Sequence, residues 1–240
     1  MVITSKSNEL IKKIISLKDK KFRREFGEYL VEGIKPVNEC ISASKDISCI
    51  VCTETNQLNY KNAVVVSDEL FKHISTELTP QGVMAVVKIP DTSVKQPLDS
   101  CLLLDKLQDP GNLGTIIRTA NAAGYKDIYL VNCTDAFSPK AVRASMSGIF
   151  FVNIHIGDYE KVFNAISGYS LICADMDGEN IFTFATPDKF CLCIGNEGNG
   201  ISEVVKNKAE FTIKIPMQPT CESLNAAVSA AISMYTLKNK

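Results

Sequence analysis

No apolar run in this 240-residue chain approaches the roughly 18 residues that a membrane-spanning helix needs, and its N-terminus has neither an apolar core nor a small-residue cleavage site. The expectation is a soluble, cytoplasmic protein. Internal repeats and low-complexity tracts are also missing. The first 24 residues are basic but Lys-rich and interrupted by Glu9 and Asp19, whereas organellar transit peptides are Arg-rich and poor in acids. The nine cysteines are odd in number and lie mostly in apolar runs such as Cys101-Leu102-Leu103-Leu104, which fits reduced, buried thiols. Cys49-Ile50-Val51-Cys52 has no second C-x-x-C to complete a zinc site, and residues three apart in a strand face opposite sides, so no metal is expected.

What is present is enough apolar material, 45% of residues against 22% charged, to build one large core or two modest ones. The net charge of −1 hides an asymmetry. Residues 1–24 hold eight Lys or Arg against two acids, a net +6, while residues 91–240 hold thirteen against sixteen, a net −3. A basic helix on a nearly neutral body is either a phosphate-contacting arm or a solvated helix face, and charge alone leaves both open.

Apolar residues at helical spacing from Ser7 to about Arg24 predict one amphipathic helix. An alternating pattern follows: strand 29–32, helix 34–43 with Pro36 in its first turn, strand 47–52, strand 63–66, helix 67–74 and strand 83–87. The polar, proline-framed stretch from Ile89 to Pro97 marks a boundary between a unit of residues 1–90 and one of residues 98–240. The second unit repeats the alternation with more apolar strands at 102–104, 127–131, 151–154, 170–174, 190–194 and 211–215. Helices are expected at 113–123, 140–147, 159–166 and 223–237. Continuous apolar strands between helices imply a mainly parallel sheet covered on both faces, with ligands at the carboxyl ends of its strands.

Three strand ends carry candidate chemistry. After Leu104, the segment Asp109-Pro110-Gly111-Asn112 turns into a helix that carries Arg118. Asn112 suits a cap or a ligand contact, and Arg118 suits a phosphate or a developing oxyanion, or simply a neighbouring carboxylate. After Ile194, the order Gly195-Asn196-Glu197-Gly198-Asn199-Gly200 is G-x-x-G-x-G, so neither the dinucleotide fingerprint nor a P-loop fits. Glu197 there disfavours a polyphosphate and suits a neutral or cationic ligand, unless the segment is only a tight connecting loop. After Ile215, the chain turns at Pro216 and reaches Glu222-Ser223-Leu224-Asn225 before a small-residue helix, for which Ser223 is the simplest N-cap.

In this order and at these spacings, N-x-G-x-x-x-R-x-A, G-N-E-G-x-G and I-P-M followed by E-S-L-N resemble the three signature motifs of the SpoU (TrmH) family of RNA ribose methyltransferases. The likeness covers about residues 102–237, with residues 138–150 similar to the family's connecting segment. Residues 25–88 resemble the small α/β substrate-binding domain that precedes it in many members. The resemblance implies an α/β fold: a small RNA-binding domain followed by a mainly parallel sheet whose C-terminal segment threads a trefoil knot. It implies S-adenosylmethionine bent in that knot, with Gly195, Ile215 and Leu224 at cofactor-contacting positions. Asn112, Arg118, Glu197, Ser223 and Asn225 match the polar positions of the catalytic site, and a homodimer would form the active region. One departure is Gln218-Pro219-Thr220-Cys221, where many members carry a glycine.

The implied reaction is methyl transfer to a ribose 2′-hydroxyl, in large-subunit ribosomal RNA more than in transfer RNA. A guanidinium is almost never deprotonated in a protein, so Arg118 reads as a clamp on phosphate and on the forming alkoxide rather than as a base. Glu197 is expected to orient Arg118 or Asn112, and Ser223 and Asn225 to position ribose or cofactor. Rival readings are a non-catalytic RNA-binding assembly factor on the same fold and a nucleotide-binding oxidoreductase, the latter disfavoured by the glycine order.

Overall fold

The computed structural model describes residues 2–238. Two sheets organise it, with strand orders β1-β4-β2-β3 and β10-β8-β9-β5-β6-β7. The first is built from β1 (Glu28–Glu32), β2 (Ile47–Thr53), β3 (Val64–Val66) and β4 (Val83–Lys88). Its β1–β4 and β2–β4 pairs are antiparallel, and β2–β3 is parallel. Cys52 points into the core shared with the second sheet, and Cys49 packs against the opposite cluster, as alternation requires. All nine cysteines are free. Burial pushes the Cys133 thiol up to about 12, so it stays protonated.

The N-terminal helix expected over 7–24 is two helices, α1 (Glu9–Ser16) and α2 (Lys20–Phe26). Asp19 ends the run by accepting the Lys21 N–H as an N-cap. The Arg23 guanidinium then takes the freed carbonyls of Leu17 and Lys18 at 2.8 Å each. Its other face pairs with Asp135 at 2.7 Å. Helices α3 (Ile34–Ser42) and α4 (Asp68–Ile74) follow the expected positions, with Ser67 capping α4.

The second sheet is parallel throughout: β5 (Cys101–Asp105), β6 (Asp127–Val131), β7 (Asn153–Ile156), β8 (Ser170–Asn180), β9 (Phe190–Ile194) and β10 (Phe211–Lys214). Strands β5, β6 and β9 are buried along their whole length, which explains their unbroken apolar runs. The expected helix over 140–147 stops early as α6 (Pro139–Ala144), because Met146 and Ser147 adopt positive φ and a 3-10 turn, Gly148–Phe150, follows. Helices α5 (Pro110–Ala122), α7 (Tyr159–Ala165), α8 (Glu203–Lys206) and α9 (Ala226–Lys238) complete the fold.

The Ile89–Pro97 segment has no regular structure but is tied down. Its Ser93 carbonyl meets His155 Nδ1 at 2.7 Å, and its Lys95 and Pro97 carbonyls accept from the hydroxyls of Tyr129 and Tyr169. Strand order reverses at β5, which has β6 on one side and β9 on the other. Ligand crevices open at such reversals, beyond the carboxyl ends of the strands.

Candidate active site

Leu104 and Ile194 are register partners at the ends of β5 and β9, so the loops that follow them emerge side by side. Asn196 ties them together by donating to the Lys106 carbonyl at 2.8 Å. Asn196 and Gly200 also exchange backbone hydrogen bonds of 2.9 and 3.0 Å, closing the glycine loop on itself. Gly195 is needed for that closure. A Cβ there would lie 2.4–2.6 Å from the Gly200 and Ile201 backbone. Its glycine therefore serves loop packing, and its backbone borders the cavity described below.

Asp105, buried at the end of β5, accepts from the Tyr159 hydroxyl and from the Ser202 N–H at 2.7 Å each, which fixes the exit of the glycine loop. Sequence reading passed over Asp105. A carboxylate ending an apolar strand was the available signal. Asp109 caps α5 through the Asn112 N–H at 2.8 Å, so Asn112 is not the cap and its side chain is released for other work.

That side chain sits in a directional chain of hydrogen bonds. Glu197 accepts from Asn112 Nδ2 and from the backbone N–H groups of Gln108 and Asp109, all at 3.1 Å. Asn112 Oδ1 then accepts from Asn225 Nδ2 at 3.0 Å. Asn225 Oδ1 finally accepts the Ala227 and Val228 N–H groups at the start of α9. The carboxylate at one end and the helix N-terminus at the other dictate which way both amides face. Partial burial would by itself raise the Glu197 carboxyl, but the bonds from Asn112 and the backbone outweigh it and hold the group below the usual glutamate value.

The capping bonds make Asn225 the N-cap of α9, so the helix begins later than the Ser223 start expected from sequence. Ser223 instead lies exposed in the connecting loop, where Cys221 N–H closes a turn onto the Gln218 carbonyl at 2.9 Å. Proline and glutamine thus shape that loop without the glycine of the family pattern.

A cavity of about 560 Å³ opens between the β8, β9 and β10 ends and the N-terminal half of α9. Its walls include Ile194, Ile213, Ile215 and Leu224, with Gly195, Glu197, Ser223 and Asn225 at its border. Also on the border, and not anticipated, are Asp175 and Met176 of β8 and Ser229 and Ser233 of α9. β8 runs to Asn180 but leaves its ladder with β10 after Cys173 and rejoins it at Glu179, which carries Asp175 and Met176 to the cavity edge.

Arg118 is the expected site residue that this arrangement does not gather in. It lies on the exposed face of α5, does not border the cavity, and its guanidinium has no hydrogen bond or ion pair among the described residues. Glu197 orients Asn112 and not Arg118. No group of three or more His, Cys, Asp or Glu suited to a metal ion occurs among the described residues.

The chain matches the SpoU rRNA Methylase family over residues 99–235 and the MRM3-like substrate binding domain over residues 8–85. It is 29% identical to the 23S rRNA (guanosine(2553)-2′-O)-methyltransferase RlmP of Bacillus subtilis, covering 98% of each chain. It is 26% identical to the 23S rRNA (uridine(2479)-2′-O)-methyltransferase of Streptomyces viridochromogenes, over 89% of this chain and 83% of that one. Among solved structures, an AdoMet-bound rRNA methyltransferase from Sinorhizobium meliloti superposes with a TM-score of 0.90 at 27% identity, covering 100% of this chain and 97% of that one.

Proposed function

We infer that this protein, which belongs to the SpoU rRNA methylase family, transfers a methyl group from S-adenosylmethionine to a ribose 2′-hydroxyl of large-subunit ribosomal RNA. The observation that carries the reading is the cavity beyond the carboxyl ends of β8, β9 and β10, bordered by the family's motif residues and of a size for one nucleoside-like ligand. The residues fit the donor: an apolar slot between Ile194, Ile215 and Leu224 for a flat base, and no basic cluster that would select a polyphosphate. Gly195, Ile215 and Leu224 would hold it. When bound, the donor supplies an electrophilic methyl group on a sulfonium.

The chain's own residues do the rest. Asn112 and Asn225, fixed by Glu197 and by the α9 N-terminus, present amide groups of defined direction to the sugar. Ser223, with no side-chain hydrogen bond of its own among the described residues, positions ribose or donor beside them. Arg118 clamps the adjoining phosphate and stabilises the charge that develops on the 2′-oxygen.

A single subunit keeps Arg118 away from the cavity, so the reading includes a homodimer that brings the two together. Helix α9 supports this: it packs on α5, is apolar on most of its surface, and leaves Val228 and Tyr235 exposed. The path of the chain supports the trefoil knot. After β10 at the sheet edge it returns past the ends of β8 and β9 to α9 against α5. The two sheets and the two family matches support a division into an RNA-binding unit of residues 1–90 and a catalytic unit of residues 98–240. No helix among the described residues is long and apolar enough to cross a membrane, in keeping with the cytoplasm as the place of action.

The test is incubation with labelled donor and 23S ribosomal RNA, followed by mapping. A 2′-O-methyl group removes the nucleophile for alkaline cleavage, so the modified nucleotide should resist it. Label on a base, on transfer RNA alone, or on nothing would overturn the reading.

A further inference from the structure

Helix α9 places Asn225, Ser229 and Ser233 four residues apart, on one face that runs down the cavity for about 12 Å. Asn225 belongs to the site described above. The two serines below it do not, and their hydroxyls lack the local backbone bond that several other helical hydroxyls in this protein make. Thr115 and Thr119 of α5 donate to the carbonyls of Gly111 and Thr115 at 2.8 Å, and Ser145 donates to Val142 at 2.7 Å. That local bond is the usual resting state of a hydroxyl on a helix. Ser233 forgoes it. Its Oγ is buried and has no hydrogen-bond partner, and the residue borders the cavity. Ser229, one turn nearer the mouth, is half-buried and also makes no side-chain hydrogen bond among the described residues.

A buried hydroxyl without a partner is unfavourable and asks for one from a ligand. The surroundings narrow the ligand's chemistry. The cavity walls include the apolar Ile194, Ile213 and Ile215, and serine is neutral, so the serine face suits a flat uncharged heterocycle better than an ammonium or a carboxylate. We propose that Ser229 and Ser233 form the polar floor of the donor pocket and hydrogen-bond the ring nitrogens of its adenine. Ser229 is within reach of an entering base. Ser233 is sealed from water, so the floor widens slightly as the base seats and gives Ser233 its missing partner.

This rests on the methyl-donor reading above, and calorimetry with S-adenosylhomocysteine separates the two. If the wild-type protein fails to bind it, both fall. If it binds, the expected result is a loss of about 10-fold in affinity for Ser229→Ala or Ser233→Ala and a larger loss for the double variant. The melting temperature of ligand-free Ser233→Ala should be unchanged or higher, because a hydroxyl with no partner has been removed. Competition with fragments locates the contact: adenosine should lose affinity in the variants and methionine should not. Affinities within twofold of wild type in both single variants and the double would overturn the assignment. So would a loss carried by the methionine fragment. Ser229→Ala, at a half-exposed position, keeps the test intact if Ser233→Ala does not fold.

Discussion

The seam between the two sheets and the strand-end site use similar side chains in opposite ways. At the seam, Arg23 is buried and makes four hydrogen bonds, to Asp135 and to two helix-end carbonyls. Arg143 nearby reaches Thr76 and Glu77 of the N-terminal unit. At the site, Ser223 has no side-chain partner among the described residues, nor has Arg118 on the exposed face of α5, and the bonded groups, Glu197, Asn112 and Asn225, form a chain that fixes orientation and leaves capacity over. The polar groups of the seam are satisfied from within. Those of the strand-end site are held in place but left incomplete.

The contrast breaks most visibly at its two arginines. Arg118→Ala should lower methyl transfer by on the order of 10²–10³-fold, with unchanged melting temperature and unchanged donor affinity, because nothing in the fold depends on its guanidinium. Near-normal turnover of labelled donor into RNA would show that the unbonded arginine is ordinary surface. Removing the partner of Arg23 should do the reverse. Asp135→Ala leaves a buried cation unpaired and should cost about 3 kcal/mol of stability by urea denaturation. Donor binding per folded molecule should stay normal.

Glu197 tests the middle ground, since it both bonds inward and serves the site. In Glu197→Gln the amide would turn an N–H toward the backbone donors of Gln108 or Asp109, loosening the loop and the direction of Asn112. Activity should fall by about 10-fold or more. The folded protein holds this carboxyl below its ordinary value of 4.5, so its contribution to stability is complete above that pH and is lost as pH falls through the folded value. The stability gap between wild type and Glu197→Gln should therefore be constant near neutrality and close in acid. A gap that widens in acid would mean the carboxylate is not the stabilising form.

Legibility in the sequence followed burial. Strand β6 matches its sequence expectation from Asp127 to Val131, because a strand buried on both faces writes an unbroken apolar run. The break between α1 and α2 is marked in the sequence only by its cap Asp19, which the apolar spacing masks by continuing through Leu17, and Arg23 secures it by taking the Leu17 and Lys18 carbonyls. The site divides the same way. Strand ends and glycine order pointed to Glu197 and Asn112. They did not decide which partner Glu197 takes, because that depends on two loops being register neighbours. Asn225 rather than Ser223 caps α9 for a tertiary reason as well: its amide is also held by Asn112. The serines deeper in α9 read only as small residues for close packing, and the unsatisfied state of Ser233 is a property of the folded chain.

The smallest effect concerns the basic N-terminus, where the two kinds of cation lie in one segment. Of its charges, Arg23 is bound at the seam, Lys13 pairs with Glu28, and Lys18 donates to the Ser75 carbonyl. Lys20 and Arg24 of α2 are exposed, have no hydrogen bond or ion pair among the described residues, and lie four apart on one helix face. With Lys6 and Lys21, also exposed and without an ion pair among the described residues, they are the cations able to meet phosphate, so the net +6 overstates the arm. Each phosphate that is no longer neutralised should reduce the slope of log affinity against log salt by about 0.7–0.9. Lys20→Ala with Arg24→Ala should therefore flatten the slope for ribosomal RNA fragments by roughly 1.5, with modest loss of affinity and no change in melting temperature. Lys13→Ala, whose cation already serves Glu28, should leave the slope nearly as it was and lower stability instead. A steeper dependence on Lys13 than on Lys20 and Arg24 would reverse the division between bonded and available charge.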